Sequence, residues 1–127
     1  MKTIYRDTAP FITKDGSEIR ELMHPALAAP SRNQSLAEAI VSPGATTRLH
    51  RHRSSEELYY ITAGRGRMTL GEERFEVGPG DTICIPPGTP HCIANCGTEP
   101  LRILCCCAPP YSHDDTELLE LPSGDRA

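Results

Sequence analysis

Two glycine-bounded motifs carry regularly spaced histidines, and they constrain this 127-residue chain more than any other feature. The first motif contains, in order, Gly44, His50, His52, Glu57 and Gly64. Side chains two apart in a strand point to the same face, so one strand can present His50 and His52 together. Glu57 follows a turn rich in arginine and serine, so it can lie on the antiparallel neighbour and face the same way.

The second motif lies downstream and adds one more histidine. It contains Gly80, Pro86, Pro87, Gly88, Thr89, Pro90, His91 and Asn95. The proline-glycine turn precedes His91, which then needs only a strand that passes the point faced by the first motif. Together the two motifs offer three ring nitrogens and one carboxylate, donors that suit borderline and harder divalent ions. The sequence therefore predicts a metal site.

The two motifs resemble the paired motifs of the cupin superfamily. Every anchoring position is filled, and Glu57, the second of two adjacent glutamates, is in register. The stretch between Gly64 and Gly80 is short, as in compact bacterial single-domain cupins, and residues 104–111 resemble the ending of a subgroup of them. The resemblance implies an all-β chain that forms a double-stranded β-helix, or jelly-roll, barrel.

The resemblance also implies a cofactor and its ligands. One divalent ion per chain would be held by His50, His52, Glu57 and His91. Iron, manganese, zinc, nickel, cobalt and copper all occur in similar proteins, and the ligand types favour iron or manganese over zinc only modestly. Four protein ligands on an ion that prefers six would leave two positions for substrate, water or dioxygen.

Short runs of strand-forming residues between glycine and proline turns agree with an all-β fold, and no helical period appears. The predicted strands cover residues 11–13, 18–23, 35–41, 57–63, 67–70, 74–77, 82–85, 91–94 and 101–106. We expect an amino-terminal arm or hairpin at 1–34, the barrel at 35–110 and a polar tail at 111–127. That tail is expected to be a short helical turn or a frayed end.

Length and charge exclude several classes of protein. A chain of 127 residues fits a single core. The formal net charge of −4 argues against non-specific binding of nucleic acid, which requires clustered Lys and Arg. Residues 1–16 carry charges throughout and lack the apolar centre of a secretion signal, and no stretch approaches the length of a membrane span. We therefore expect a cytoplasmic protein that binds neither nucleic acid nor membrane.

The six cysteines permit two interpretations. A structural zinc site would show paired cysteines, but Cys92 and Cys96 have no matching second pair. Buried free cysteines that act as small core residues are favoured, and they suit a reducing compartment. Cys105, Cys106 and Cys107 are consecutive, so either face of their strand could point into the barrel. A redox role for these three stays open.

Two further residues are candidates for contact with a substrate. Arg48 has the same parity as the first two histidines, so on a regular strand it would point inward and could clamp a carboxylate or phosphate. Alternatively it lies at the strand end and faces solvent. Tyr59 has the parity of Glu57, so its hydroxyl could donate a proton or hold substrate. The alternative is an aromatic ring packed in the barrel wall.

Two functions remain possible on sequence grounds. The first is a metal-dependent enzyme that acts on a small oxygenated organic molecule, dioxygenase-like with iron or copper and isomerase- or lyase-like with manganese, zinc or nickel. The second is a non-catalytic module that binds a sugar-like or acidic ligand, since a fold does not fix a function. Relatives of this size pair as homodimers, often through amino-terminal strands, and residues 1–24 offer such an arm.

Overall fold

The computed structural model describes residues 1–27 and 30–120, which form a barrel of short antiparallel strands. A single 3₁₀ turn covers Tyr5–Asp7. The strands are β1 (Phe11–Ile12), β2 (Glu18–Met23), β3 (Ser35–Val41), β4 (His50–His52), β5 (Glu56–Ala63), β6 (Gly66–Leu70), β7 (Glu73–Val77), β8 (Thr82–Ile85), β9 (His91–Asn95), β10 (Leu101–Ala108) and β11 (Thr116–Leu118). No helix in the described ranges is long and apolar enough to cross a membrane.

The strands form two sheets whose order interleaves distant parts of the chain. One sheet has six strands in the order β1-β2-β3-β10-β5-β8, and the other has five in the order β11-β4-β9-β6-β7. Strands far apart in sequence are therefore neighbours, as a jelly-roll barrel requires. The predicted all-β fold is confirmed, including the amino-terminal hairpin of β1 and β2.

The core depends on the alternation of buried side chains with more exposed ones along the central strands. On β5, Ile61 is fully buried, and on β10 so is Ile103, which lies directly opposite it. Met68 and Ile93 face each other in the same way across β6 and β9 of the other sheet. Each such side chain stabilises the fold by about 1.5 to 3 kcal/mol relative to an exposed one.

Two glycines in the histidine motifs are required by the backbone. Gly64 has a φ of +86°, and a Cβ there would lie 2.7 Å from the carbonyl oxygen of Pro100. Gly88 has a φ of +78° in the turn before β9. The Gly88 N–H donates to the carbonyl of His52 at 2.7 Å, so this turn is attached to β4. The two histidine-bearing strands are thereby held side by side.

The carboxyl-terminal segment differs from the expectation of a helical turn or frayed end. Thr116–Leu118 forms β11 and pairs with β4, opposite the first two histidines. The prediction was wrong here because β4 needs a partner on its open edge, and a short polar strand supplies it. The Asp115 carboxylate also accepts hydrogen bonds from the N–H groups of Ser54 and Ser55. Residues 121–127 of the predicted tail lie outside the described residues.

The cysteines do not all behave as core residues. Cys105 and Cys107 are buried and face the barrel interior, whereas Cys84 and Cys96 are exposed. The expectation of buried thiols was therefore wrong for these last two. Cys84 lies between two inward-facing isoleucines on β8, so alternation turns it outward. All six cysteines are free thiols.

Candidate metal centre

Three histidines converge inside the barrel from two neighbouring strands. His50 and His52 point inward from β4, and His91 lies opposite His50 at the start of β9. Their exposed fractions are 2%, 4% and 0%. One donor atom from each lies within 4.8 Å of the other two, and among residues 1–27 and 30–120 these three form the group that could hold a metal ion.

Glu57 reaches the same point from the opposite sheet. It lies on β5, and its Oε1 atom is 3.1 Å from His52 Nε2 and 3.5 Å from His91 Nε2. Its side chain is buried. The four residues singled out in the sequence therefore meet where the two sheets face each other, although Glu57 adjoins two of the histidines rather than all three.

Hydrogen bonds at Nδ1 fix the orientation of two of the rings. His50 Nδ1 is 2.7 Å from the carbonyl oxygen of Arg48, and His91 Nδ1 is 2.9 Å from that of Thr89. A carbonyl can only accept, so each Nδ1 must carry the proton. In the neutral ring the lone pair is then on Nε2, the atom that faces the centre.

The third ring is fixed by a residue that sequence reasoning missed. His52 Nδ1 lies 3.0 Å from the hydroxyl oxygen of Thr116, and that hydroxyl donates its own proton to the carbonyl of Ser112 at 2.9 Å. The Thr116 oxygen is therefore the acceptor for His52 Nδ1–H. No motif marks Thr116, because it lies in the polar segment after the barrel.

The electrostatics of the site favour a neutral His50 and an ionised Glu57. Burial, together with the charge of nearby His91, lowers the pKa of His50 to about 4. Burial alone would raise the pKa of Glu57, but the proximity of the His52 and His91 rings outweighs it and lowers that pKa to about 2.

At the centre formed by the described histidines, one buried nitrogen has no hydrogen-bond partner. His91 Nε2 makes no hydrogen bond in the described part of the chain. An unpaired buried nitrogen is costly, and here it faces other lone-pair donors and a carboxylate. A cation between these atoms would satisfy all of them, and the donor set suits a divalent metal ion. The residues present therefore fit the implied cofactor.

A small cavity opens beside the histidines. Tyr59, Cys105 and Cys107 line it from the six-stranded sheet, and Asp15 from the β1–β2 turn closes one side. Burial, followed by the charge of Glu57, raises the pKa of Tyr59 well above its usual value, so the phenol stays protonated and can donate a hydrogen bond. Tyr59 is thus both a cavity-lining residue and a packed ring.

Arg48 lies outside this cavity. Its side chain is exposed, because β4 begins two residues later at His50. The solvent-facing alternative for Arg48 is the one that the structure shows. Its backbone contributes instead, since the Arg48 N–H donates to the carbonyl of Asp15 at 2.8 Å and secures the amino-terminal hairpin against β4.

Two more polar residues near the centre, Asp15 and Glu21, were not singled out from the sequence, and a third, Cys107, was named there with its facing left open. Asp15 Oδ2 lies 3.7 Å from His50 Nε2, and the Cys107 thiol donates to Glu57 Oε2 at 3.3 Å. Glu21 on β2 faces the cavity. Asp15 and Gly16 lie in the turn of the predicted amino-terminal hairpin, and the sequence of a turn does not reveal what its aspartate faces.

A match to a family model identifies the superfamily of this chain. A family model described as the cupin domain matches residues 37–107, a segment that contains all four converging residues. The chain is a cupin. The described residues form one small cupin barrel, as the histidine motifs indicated.

Similar proteins are found both in sequence and in structure. The uncharacterized protein MJ1618 of Methanocaldococcus jannaschii is 62% identical over 120 residues, 94% of this chain and 95% of that protein. The nucleoside dehydratase Pac13 of Streptomyces superposes with a TM-score of 0.78 at 18% identity, covering 97% of this chain and 93% of that one.

A larger enzyme contains a similar barrel. The oxalate decarboxylase of Lactobacillus farciminis, in a formate complex, superposes with a TM-score of 0.78 at 24% identity. The match covers 90% of this chain but 34% of the decarboxylase, so this cupin spans about a third of that protein's length. At sequence identities of 24% and 18%, these two superpositions show a shared fold.

Proposed function

We propose that this cupin binds one divalent metal ion through His50, His52, Glu57 and His91 and acts as a metal-dependent enzyme on a small oxygenated organic molecule. The observation that carries the proposal is the buried, unpartnered Nε2 of His91, which faces two more imidazoles and an ionised carboxylate. When bound, the ion would supply a Lewis acid that polarises a substrate oxygen and stabilises negative charge.

The protein's own residues would prepare the site for that chemistry. Thr116 orients His52, and the carbonyls of Arg48 and Thr89 orient the other two rings. Such contacts keep metal-binding nitrogens in one tautomer. Tyr59 would donate a hydrogen bond to a ligand in the cavity, and the buried walls would strengthen every electrostatic interaction there. The existence of enzymes with this fold supports catalysis, as the dehydratase and the decarboxylase show for themselves.

Metal analysis of the purified protein tests the ligand set. We expect about one divalent ion per chain in the wild type and a large loss in His91→Ala. At a free metal concentration of 100 times Kd, binding would stabilise the fold by about 2.7 kcal/mol, so a chelator should lower the melting temperature of the wild type but not of the variant. His113→Ala, which removes an exposed histidine, is the control.

Turnover assays then separate the two functions open to a metal-binding cupin. Conversion of a candidate substrate by the metal-loaded protein, lost in His91→Ala, would support an enzyme. Tight ligand binding without conversion would support the non-catalytic module instead. Full metal content in His91→Ala would contradict the ligand assignment itself.

We also propose that the protein pairs as a homodimer through its amino-terminal arm. The supporting observation is β1, which lies at one edge of the six-stranded sheet with Ile12 67% exposed and Phe11 46% exposed. An open edge with apolar side chains is a site for association with another strand. Sedimentation of the wild type should give the mass of a dimer, and a monomer at all concentrations would contradict this.

A further inference from the structure

The cavity beside the metal centre is lined by several carboxylates and, within the described part of the chain, by no cationic lysine or arginine side chain. Asp15, Glu21 and Glu57 contribute carboxylates to its lining. Among the described residues, no Lys, Arg, Asn or Gln lines it. The side chains that proteins use to hold carboxylates and phosphates are therefore missing from this wall.

Glu21 is an acceptor without a donor. Its Oε1 atom is buried and has no hydrogen-bond partner in the described part of the protein. Glu21 lies opposite Ala37 on β3, and Ala37 lies opposite Cys105 on β10. Neither neighbour is a strong donor, and the short alanine side chain leaves space beside the carboxylate. A buried acceptor of this kind costs free energy until a ligand brings a donor to it.

The carboxylate of Asp15 already accepts hydrogen bonds from the donor groups of its own turn. Its Oδ1 atom accepts from the hydroxyls of Thr13 and Ser17, each at 2.7 Å, and from the Ser17 N–H at 2.9 Å. Its Oδ2 atom faces the centre. The hydroxyls of this turn are thus directed to Asp15 rather than to a ligand. The remaining hydroxyl groups of the wall come from Ser35, Tyr59, Tyr111 and Thr116.

The cavity is also small. About 50 Å³ is open to the centres of water-sized molecules. One such molecule needs roughly 10 to 15 Å³ by this measure, so the space holds about four of them. A ligand of a few non-hydrogen atoms fits without movement of the β1–β2 hairpin.

From the lining and the volume we infer that the cavity selects a small, neutral or positively charged molecule rich in hydrogen-bond donors, such as a short polyol or amino alcohol, and disfavours anions. The inference rests on the proposed function, because it describes what would approach the metal centre. Glu21 and Asp15 would receive the donor groups of the ligand. A carboxylate or phosphate would instead meet acceptors that repel it.

The inference is tested with the metal-loaded protein and three two-carbon molecules as probes: ethanolamine, ethylene glycol and glycolate. We expect calorimetric titration to show tighter binding of ethanolamine than of glycolate. In Glu21→Gln the affinity for ethanolamine should fall about tenfold, the equivalent of one charge-assisted hydrogen bond, while that for glycolate should hold or rise. The wild type and Glu21→Gln hold the same metal ion. Any preference of that ion for one probe therefore cancels when the affinities of the two proteins are compared.

Glu76→Gln is the matched control, because it makes the same chemical change at an exposed carboxylate that pairs with Arg67 on the surface. It should leave both affinities unchanged. Tighter binding of glycolate than ethanolamine to the wild type, no binding of either donor probe, or an equal change for both probes in Glu21→Gln would each overturn the inference. Metal content is measured first, and a protein that holds no metal would overturn the proposed function instead.

Discussion

The two ends of the barrel interior share one backbone pattern but contain opposite chemistry. On β5 the inward side chains run from Glu57 through Tyr59 to Ile61. On β10, which lies antiparallel beside it, Cys107 faces Glu57 and Ile103 faces Ile61. Both strands therefore change from polar or reactive groups at the metal centre to aliphatic groups at the far end.

Strand β3 shows the same gradient in size. Its inward residues are Ser35, Ala37 and Ala39 on the side of the cavity and Val41 at the far end. The short side chains leave the cavity open, and the branched ones fill the core. The difference teaches that alternation turns side chains inward at both ends alike, whereas the choice of side chain at one end determines the site. Stability and function are thus separable along a single strand.

The strongest test of this separation removes volume from the aliphatic end. Ile103→Ala should destabilise the fold by about 2 to 5 kcal/mol, because it removes buried methyl groups and leaves a void. Urea unfolding measures the loss. Leu58→Ala, an exposed position on the same sheet, should change stability by about 0.5 kcal/mol or less. If Ile103→Ala lost its metal while keeping full stability, the two ends would not be separable.

A smaller effect is expected at the polar end, where it should appear in metal affinity. Thr116→Val keeps the shape of the side chain but removes the acceptor for His52 Nδ1–H. Loss of such a contact weakens metal binding about 10- to 100-fold. Competition with a chromogenic chelator measures the affinity. Thr62→Val, at an exposed site on β5, is the control, and equal affinities in the two variants would contradict an orienting role for Thr116.

The smallest expected effect is on stability. It concerns the hydrogen bonds to Asp115, which lies at neither end of the barrel interior. Burial alone would raise the pKa of Asp115, but hydrogen bonds from Ser54 and Ser55 lower it below its usual value. A lowered pKa in the folded state adds stability that is present above the unfolded value near 4 and lost as pH falls through the folded value. Asp115→Asn should therefore cost less than about 1 kcal/mol at neutral pH, because solvent screens this largely exposed carboxylate.

Urea midpoints of wild type and Asp115→Asn at two pH values check this prediction. The difference between the two proteins should shrink as the pH falls below about 4. A difference that grew on acidification would show that the carboxylate does not act through these hydrogen bonds.

The sequence could reveal the fold and the centre of the site because both follow local rules. Short runs of strand-forming residues between turns identified strands such as Ser35–Val41 and Thr82–Ile85. The spacing of His50 and His52, and the turn before His91, brought three rings together as predicted. These features depend on neighbours in the chain and on motifs at fixed spacing.

The surroundings of the site could not be found in the same way. Thr116, Glu21 and Asp15 reach it through pairings between distant segments, which no spacing rule encodes. Arg48 shows a second difficulty. Residues two apart point to the same face only within a strand, and β4 begins after Arg48. Long-range register, rather than local pattern, decides which polar residues share the cavity.

The hydrogen bond between Thr116 and His52 joins residues 64 positions apart. During synthesis on the ribosome, all four proposed metal ligands emerge well before residue 116 does. The His52 ring therefore gains its final orientation only after the closing strand has been translated and docked. Tight metal capture would then follow, rather than direct, the assembly of the barrel.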